Sequence, residues 1–579
     1  MRIQTLSSIF CKSRQLFSED TISFAFLAII TLFFSADWFM DRDLLPKNMG
    51  FVFGVILWGV IYIGNWKQKI HLSIDLLSIS FTAFIGYLFI RSLFMPQYMQ
   101  SVYIGSGWIL FVLIRNRKDS TGNFNNILAI AGILQALYGL LQYAGWINIH
   151  SPFSILGSFD NPAGFAVSIV LCYPFLLYQT SIGKRKTLKL IACLLLIIAV
   201  ILSESRTGML ALFVITILFY AIRYWELIHK RRVYFISGGV LILTGLFAGL
   251  VYLKPASTSG RILIWKVSAE LCREHIIQGS GPGSFKADYM PKQAIYLSSP
   301  HADEKDKMLA GNTNHPFNEY LLILIEQGII GIVLLSFLLI EIFRSKTLVN
   351  TPTLLVFVSI AIFSCFSYPF RYSFVWFITI YCLSLLNQQK IVLRTIHFNK
   401  PFLLIILFIL CFHLNKNIIF EQTWKRVSLI AKKSNGLLDN ELSVFTKLND
   451  MWNGNPYFLY NYASALKHIE LYEKSISIFL QCESYINTYK LQIQLADNYY
   501  QMNNWRKAES RYKQAQSMCP NRFRPLQGLL RLYIKTDNPI LAEQVALEIL
   551  DKPVKVPSYT VSIIQEEAKA YLRKRNTNL

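Results

Sequence analysis

Four short stretches of the sequence carry the residue types that a group transfer needs. Ser203-Glu204-Ser205-Arg206-Thr207-Gly208 separates two apolar runs. The connection is so short that Arg206 must stand at the end of a span, where a planar guanidinium forks onto two phosphate oxygens. The plain alternative is an interfacial arginine that snorkels and pairs with Glu204. Ser259-Gly260-Arg261-Ile262-Leu263-Ile264-Trp265 brings a second guanidinium. Gly279-Ser280-Gly281-Pro282-Gly283-Ser284-Phe285 resembles a phosphate-cradling loop. It lacks the lysine and spacing of a P-loop, so a glycine–proline turn is the preferred reading. Asn314-His315-Pro316-Phe317-Asn318-Glu319-Tyr320-Leu321 leads into an apolar run that continues Ile325-Glu326-Gln327-Gly328-Ile329-Ile330-Gly331. A neutral His315 there can take a proton from a hydroxyl, and cationic neighbours favour the neutral form. Glu319, in the first turn, and His301, farther out in a charged stretch, are the other candidate bases. A lone histidine is more often structural, but ionisable residues at a membrane boundary carry functional weight.

The frame that positions these residues is not a soluble one. The 579 residues are 53% hydrophobic and only 16% charged, against about 25% charged in ordinary globular chains. That balance excludes a cytosolic globular enzyme and a disordered chain. Nine cysteines lie scattered without a Cys-x-x-Cys pair, which points to neither a metal site nor a disulfide framework. The net charge of +23 does not require nucleic acid. Lysine and arginine in short loops fix membrane topology, and the rest can face anionic lipid or an anionic substrate.

Thirteen apolar runs are expected to span a bilayer as helices: 21–40, 50–66, 72–95, 100–114, 126–148, 163–180, 188–203, 207–222, 234–253, 318–343, 353–367, 370–386 and 401–414. None alternates as a strand would. Asp37 and Asp41 follow the first run, which reads as an anchor rather than a cleaved signal. Positive charges recur in every second connection, from Lys67/Lys69 to Lys390/Arg394/Lys400. This places the N-terminus in the cytoplasm and, after thirteen spans, the C-terminus outside. The expected organisation is all-α: a polytopic domain over 1–414, a large outer loop at 254–317 and a helical tail over 415–579. Within the loop, Asp303-Glu304-Lys305-Asp306 reads as a solvated charge run.

The tail repeats. Ala463 precedes Ser475-Ile476, Ala496 precedes Ala508-Glu509, and Leu530 precedes Ala542-Glu543. Small residues at a period near 34, with aromatics between, resemble tetratricopeptide repeats, whose stacked helices usually dock a protein partner.

The order of these motifs resembles the O-antigen ligase and polymerase family, which includes lipopolysaccharide O-antigen ligases, O-unit polymerases and pilin-type protein O-glycosyltransferases. The resemblance covers 125–385 best. It implies a GT-C-type membrane glycosyltransferase of the bacterial inner membrane, working at the periplasmic face without a metal ion or cofactor. The implied donor is a glycan on undecaprenyl pyrophosphate. The implied acceptor is a hydroxyl of a sugar, of lipid A-core or of a protein. Arg206 matches the family's arginine on the short outer turn and Arg261 one in the long loop, both to hold the pyrophosphate. The family's histidine usually stands directly before the motif asparagine. Here Phe317 holds that position and His315 precedes Asn318 by three residues, which leaves His315, Glu319 or His301 as the base. From a different class, a transporter or flippase for a lipid-linked anion would show broken midplane helices with ionisable residues. A membrane-anchored scaffold would leave the arginines and His315 without a role.

Overall fold

The structure, a computed structural model, describes residues 18–64, 70–93, 99–116, 121–181, 185–226, 245, 255–300, 302–345, 348, 352–386, 394–433, 439–451 and 454–576. The apolar runs fold as helices because lipid leaves the backbone no other way to satisfy its polar groups. In chain order they are α1 (Glu19–Phe33), α2 (Leu45–Gly64), α3 (Leu76–Leu93), α4 (Met99–Arg115), α5 (Thr121–Tyr143), α6 (Pro162–Thr180), α7 (Lys186–Leu202) and α8 (Arg206–Arg223). After the long loop follow α12 (Glu319–Phe343), α13 (Thr353–Phe366), α14 (Ser373–Leu385) and α15 (Lys400–Lys433). Among the described residues seven of these, α2, α3, α5, α6, α8, α12 and α15, have the length and hydropathy to cross a membrane. Twelve of the thirteen expected spans fall on these helices. The remaining one, 234–253, lies outside the described residues.

Helix α6 is the most enclosed of the seven and packs against α5, α7, α8, α13 and α14. Lipid tails are as apolar as leucine, so packing and buried polar contacts hold such a bundle together. Phe24 stacks on Phe124 at 3.9 Å. The Trp58 indole donates to Asp20 at 2.8 Å. At one end Arg115 pairs with Asp75 at 2.5 Å, both nearly enclosed. One departure from the all-helical expectation is a short ribbon. Because α2 packs on α15, the connections leading from α2 and into α15 meet, and β1 (Ile70–Ile74) pairs antiparallel with β2 (Arg394–Phe398).

Helix starts and ends sort the bundle into two faces. Lys186 opens α7, while Arg223 closes α8 and Arg344 caps α12 at the same end. At the other end meet the starts of α6, α8, α12 and α14, together with the long loop.

That loop is structured. Its helices α9 (Pro255–Cys272), α10 (Phe285–Leu297) and α11 (Glu304–Leu309) share a core of Leu263, Val267, Leu271, Phe285, Tyr289 and Met290. The charge run at 303–306 is not wholly solvated. Asp306 is buried, taking a hydrogen bond from Tyr296 at 2.9 Å and an ion pair from Lys266 at 3.2 Å. Asp303, Glu304 and Lys305 stay exposed while Asp306 turns toward the loop's core.

Helix α15 runs unbroken through position 414 into the tail. There α16 (Asp439–Met451) precedes three helical hairpins: α17 (Pro456–His468) with α18 (Tyr472–Glu483), α19 (Tyr489–Gln501) with α20 (Trp505–Met518), and α21 (Arg524–Lys535) with α22 (Pro539–Asp551). Helix α23 (Tyr559–Asn576) follows. The repeating positions Ala463, Ser475, Ala496, Ala508, Leu530 and Ala542 are all fully buried. Each hairpin turns through one left-handed residue, Glu470, Asn503 or Asp537.

Candidate functional site

Arg206 is the first residue of α8. Ser205 caps that helix, its hydroxyl accepting the Gly208 amide at 3.3 Å, so the guanidinium is fixed at the bundle's loop-side end. It donates to Ser257 Oγ at 2.7 Å and Thr258 Oγ1 at 3.3 Å. Those hydroxyls lie one turn before Arg261 on α9. Burial, and then the nearby charge of Arg206, lower the Arg261 pKa. Two guanidiniums this close repel each other, and an anion between them relieves the repulsion. The Arg261 guanidinium lies over the Phe317 ring at 5.4 Å.

Phe317 is the residue in place of the expected histidine. It adopts a left-handed conformation, φ +54°, which is strained for a bulky side chain. The turn leads into α12, where Asn318 caps the helix by accepting the Leu321 amide at 2.9 Å. Both Phe317 and His315 face Tyr368. The imidazole stacks on the phenol at 4.8 Å and the phenyl ring lies at 5.5 Å. Trp265 of α9 donates to the Pro316 carbonyl at 2.9 Å, tying the loop's arginine helix to the histidine segment. His315 is half-buried. Burial first, then the charges of Lys286 and Arg371, lower its pKa to about 3. The imidazole is therefore neutral at neutral pH, as a proton acceptor must be. Burial is the larger cause, ahead of the cationic neighbours that the sequence suggested.

Glu319 is buried and its Oε1 accepts the Phe370 amide at 3.2 Å. That contact holds the segment between α13 and α14, which presents Tyr368, Arg371 and Tyr372. His301 lies outside the described residues.

Sequence reasoning missed this third wall. Arg371 lies over the Tyr368 ring at 5.7 Å and pairs with Asp160 at 3.2 Å. Tyr372 donates to the same carboxylate at 3.2 Å, and Asn161 donates to the Tyr372 hydroxyl at 2.7 Å. The signal was present, because Arg371 is an ionisable residue inside the apolar run 370–386. The site thus brings Arg261, His315 and Arg371 around Tyr368, with Arg206 beside Arg261, from four separate stretches of chain.

The glycine motif does different work. Helix α12 breaks at Gly328, φ +65° and ψ −165°, and the stretch 276–281 enters the break. Ser280 donates to the Ile325 carbonyl at 2.8 Å and Gly281 to that of Glu326 at 3.0 Å. In return Ile329 donates to the Ile276 carbonyl at 2.9 Å. Arg91 of α3 clamps both strands, donating to the carbonyls of Gly279 at 3.1 Å and Glu326 at 3.2 Å. A Cβ on Gly279 would stand 2.4 Å from the Glu326 carbonyl carbon, and one on Gly328 2.2 Å from the Ile277 oxygen. The amides of Gly283 and Phe285 are taken by the Glu326 carboxylate. The motif's amides face the chain's own carboxyl group, as a turn rather than a phosphate site.

Among the described residues no group of three His, Cys, Asp or Glu side chains is placed to hold a metal ion. Residues 191–336 match the family model described as O-antigen ligase. That is about a quarter of the chain and contains Arg206, Arg261, His315 and Glu319. The match supports glycan transfer in cell-surface polysaccharide biosynthesis. No curated protein matches the chain.

Proposed function

We propose that the protein transfers a glycan from undecaprenyl pyrophosphate to a hydroxyl acceptor at the periplasmic face of the bacterial inner membrane. The observation that carries this reading is a neutral histidine stacked beside Tyr368, with Arg261 and Arg371 around that tyrosine and Arg206 next to Arg261, at the end of the bundle away from the basic connections. The acceptor oxygen attacks the anomeric carbon, and the bond from that carbon to the pyrophosphate oxygen breaks. The electron pair leaves with the pyrophosphate, whose added charge Arg206 and Arg261 stabilise. The hydroxyl proton passes to His315. The incoming pyrophosphate raises the proton affinity of a depressed imidazole as transfer proceeds. Glu319 and Asp160 orient Tyr368 and Arg371 against the reacting groups. Polymerase, lipid A-core ligase and protein O-oligosaccharyltransferase variants share this donor and this proton transfer. The tail is read as a periplasmic tetratricopeptide-like module on an outward-leading α15, with its outer faces open to a protein partner.

The transporter reading draws on one feature, the broken helix α12. The break is filled by backbone from 276–281 and by Arg91, and the carbonyls of Ile325, Glu326 and Gln327 are taken by the chain's own donors rather than turned to an ion. The two readings separate in proteoliposomes loaded with glycan-linked undecaprenyl pyrophosphate. Free undecaprenyl pyrophosphate and a glycosylated acceptor are expected. Donor crossing the bilayer with no glycosidic product would replace the transferase by the transporter. A reporter active only in the periplasm, fused after Leu579, is expected to be active.

A further inference from the structure

His315 stands on a stretch of backbone that holds itself poorly. Among the described residues no amide from Gly311 to Phe317 donates to a backbone carbonyl. The stretch is held by side chains, and the residues that lead into it are held from the tail. Asn521, between α20 and α21, donates to the Ala310 carbonyl at 2.6 Å and to that of Met308 at 2.8 Å. Gln293 of α10 is buried. Its amide bridges the Gly311 carbonyl at 3.2 Å and the tail's Met518 carbonyl at 2.7 Å. Asn487 of the tail also donates to the Lys286 carbonyl at 2.9 Å, and Lys286 is one of the cations beside His315.

The apolar contacts agree. Met518 and Cys519 end the α20 hairpin but are fully buried in the loop's core, beside Tyr289, Met290 and Ala310. A loop of this size closes only a marginal core by itself, because little of its surface is removed from water. The tail completes it.

We propose that this face of the helical tail is occupied by the chain's own loop, and that Asn521 and Met518 are positioning residues that set the segment carrying His315. The inference rests on the transferase reading only for the role of His315. Side-chain amides suit the task, since each offers two donors to backbone carbonyls. A partner protein, if bound, is then left the outer faces of α18 and α22 rather than the Met518–Asn521 corner.

The test uses the full-length protein in detergent or nanodiscs and needs no glycan. Acylation of His315 by diethyl pyrocarbonate is compared in the native protein, Asn521→Ala and Gln293→Ala, with Arg575→Ala at the far end of the tail as control. Loss of either amide is expected to speed acylation of His315 roughly tenfold, the size of one or two net hydrogen bonds, with exposed His150 and His275 unchanged. Unaltered acylation in variants whose α19–α22 amides remain protected from exchange would overturn the clamp. Should Asn521→Ala disturb the tail, Gln293→Ala decides from the loop side. Where transfer is measured, kcat is expected to fall with the donor KM unchanged. A freed segment with native kcat would overturn the positioning role. A freed segment in a protein with no transfer activity at all would leave the clamp standing and remove the transferase reading instead.

Discussion

Arg206 and Arg371 stand on connections of a few residues between helices that the bundle already packs, whereas Arg261 and His315 stand on a long loop that packs on very little bundle. The first pair is placed by helix ends: a Ser205 cap for one, the α13–α14 turn and Asp160 for the other. The second pair is placed by long-range contacts. The loop is pinned at one point by the interlock of Gly279 with Gly328, at another by Trp265, and along α10 by the tail. The difference locates the tolerance of the site. Changes in the bundle half act locally, while the loop half is lost if one distant contact fails.

The sharpest break of that contrast is at the interlock. Gly328→Ala puts a Cβ at 2.2 Å from the Ile277 oxygen, in a backbone region only glycine adopts. It is expected to cost about 3 kcal/mol or more and to abolish transfer. Gly86→Ala, in α3 with open space around it, is expected to leave both intact. Thermal unfolding of the two purified variants checks this, and equal midpoints would dissolve the distinction between the halves.

His315→Ala comes next. Transfer is expected to slow by about 10²- to 10⁴-fold, the usual worth of a general base, with little change in thermal midpoint. Glu319→Gln keeps an acceptor for the Phe370 amide and is expected to retain most of the rate. A dead Glu319→Gln beside a near-native His315→Ala would move the base to the carboxylate.

Replacing Arg206 or Arg261 by lysine keeps the charge and loses the bidentate fork. Donor turnover is expected to fall roughly tenfold, on the order of one charged hydrogen bond. Arg371→Lys is expected to cost less, because Asp160 already takes part of its charge. Steady-state kinetics on the three variants ranks them, and an Arg371→Lys loss exceeding the other two would make the bundle wall the principal anion site.

The smallest effect is one of pH. With a His315 pKa near 3, the neutral base persists above that value and is lost only as pH falls through it. A histidine at its ordinary pKa near 6.5 would be mostly protonated at pH 5, with a roughly thirtyfold loss of base. The kcat/KM for the donor, which reports the free enzyme, is therefore expected to change less than about twofold between pH 7 and pH 5 on account of this group. A steep fall across that range would mean that His315 is far more solvated than its stacking on Tyr368 implies.

Much of this arrangement was legible in the residues. Twelve expected spans fall on helices because apolar runs in lipid have no other conformation that satisfies the backbone. Arg206 was singled out by type and by its place at the edge of an apolar run, Arg261 by type and by its place early in the long loop, and the structure sets the two side by side. The tail's period appears as three left-handed turns at Glu470, Asn503 and Asp537. Arg371 was passed over because the apolar run around it hid a turn, Pro369–Arg371, that brings it out of the bundle. Asp306 misread as solvated because four charges in a row conceal which one faces inward. The β1–β2 ribbon had no signal at all, since its pairing follows from α2 lying on α15.

The sequence by itself determined the elements, their alternation through a membrane and the types of residue that meet at one end, because hydropathy, charge and period act locally along the chain. Tertiary structure decided which of those residues share a site. Tyr368 links His315, Phe317 and Arg371 through ring contacts between stretches some fifty residues apart. Gly279, which sequence leaves in a turn, is fixed by the backbone of α12 entering the space that a side chain would fill. The tail's hold on the histidine segment depends on Met518 and Asn521 reaching another part of the fold. Such contacts form between surfaces whose complementarity is set by shape and by unpaired carbonyls, and neither property is written in the order of residues along one segment.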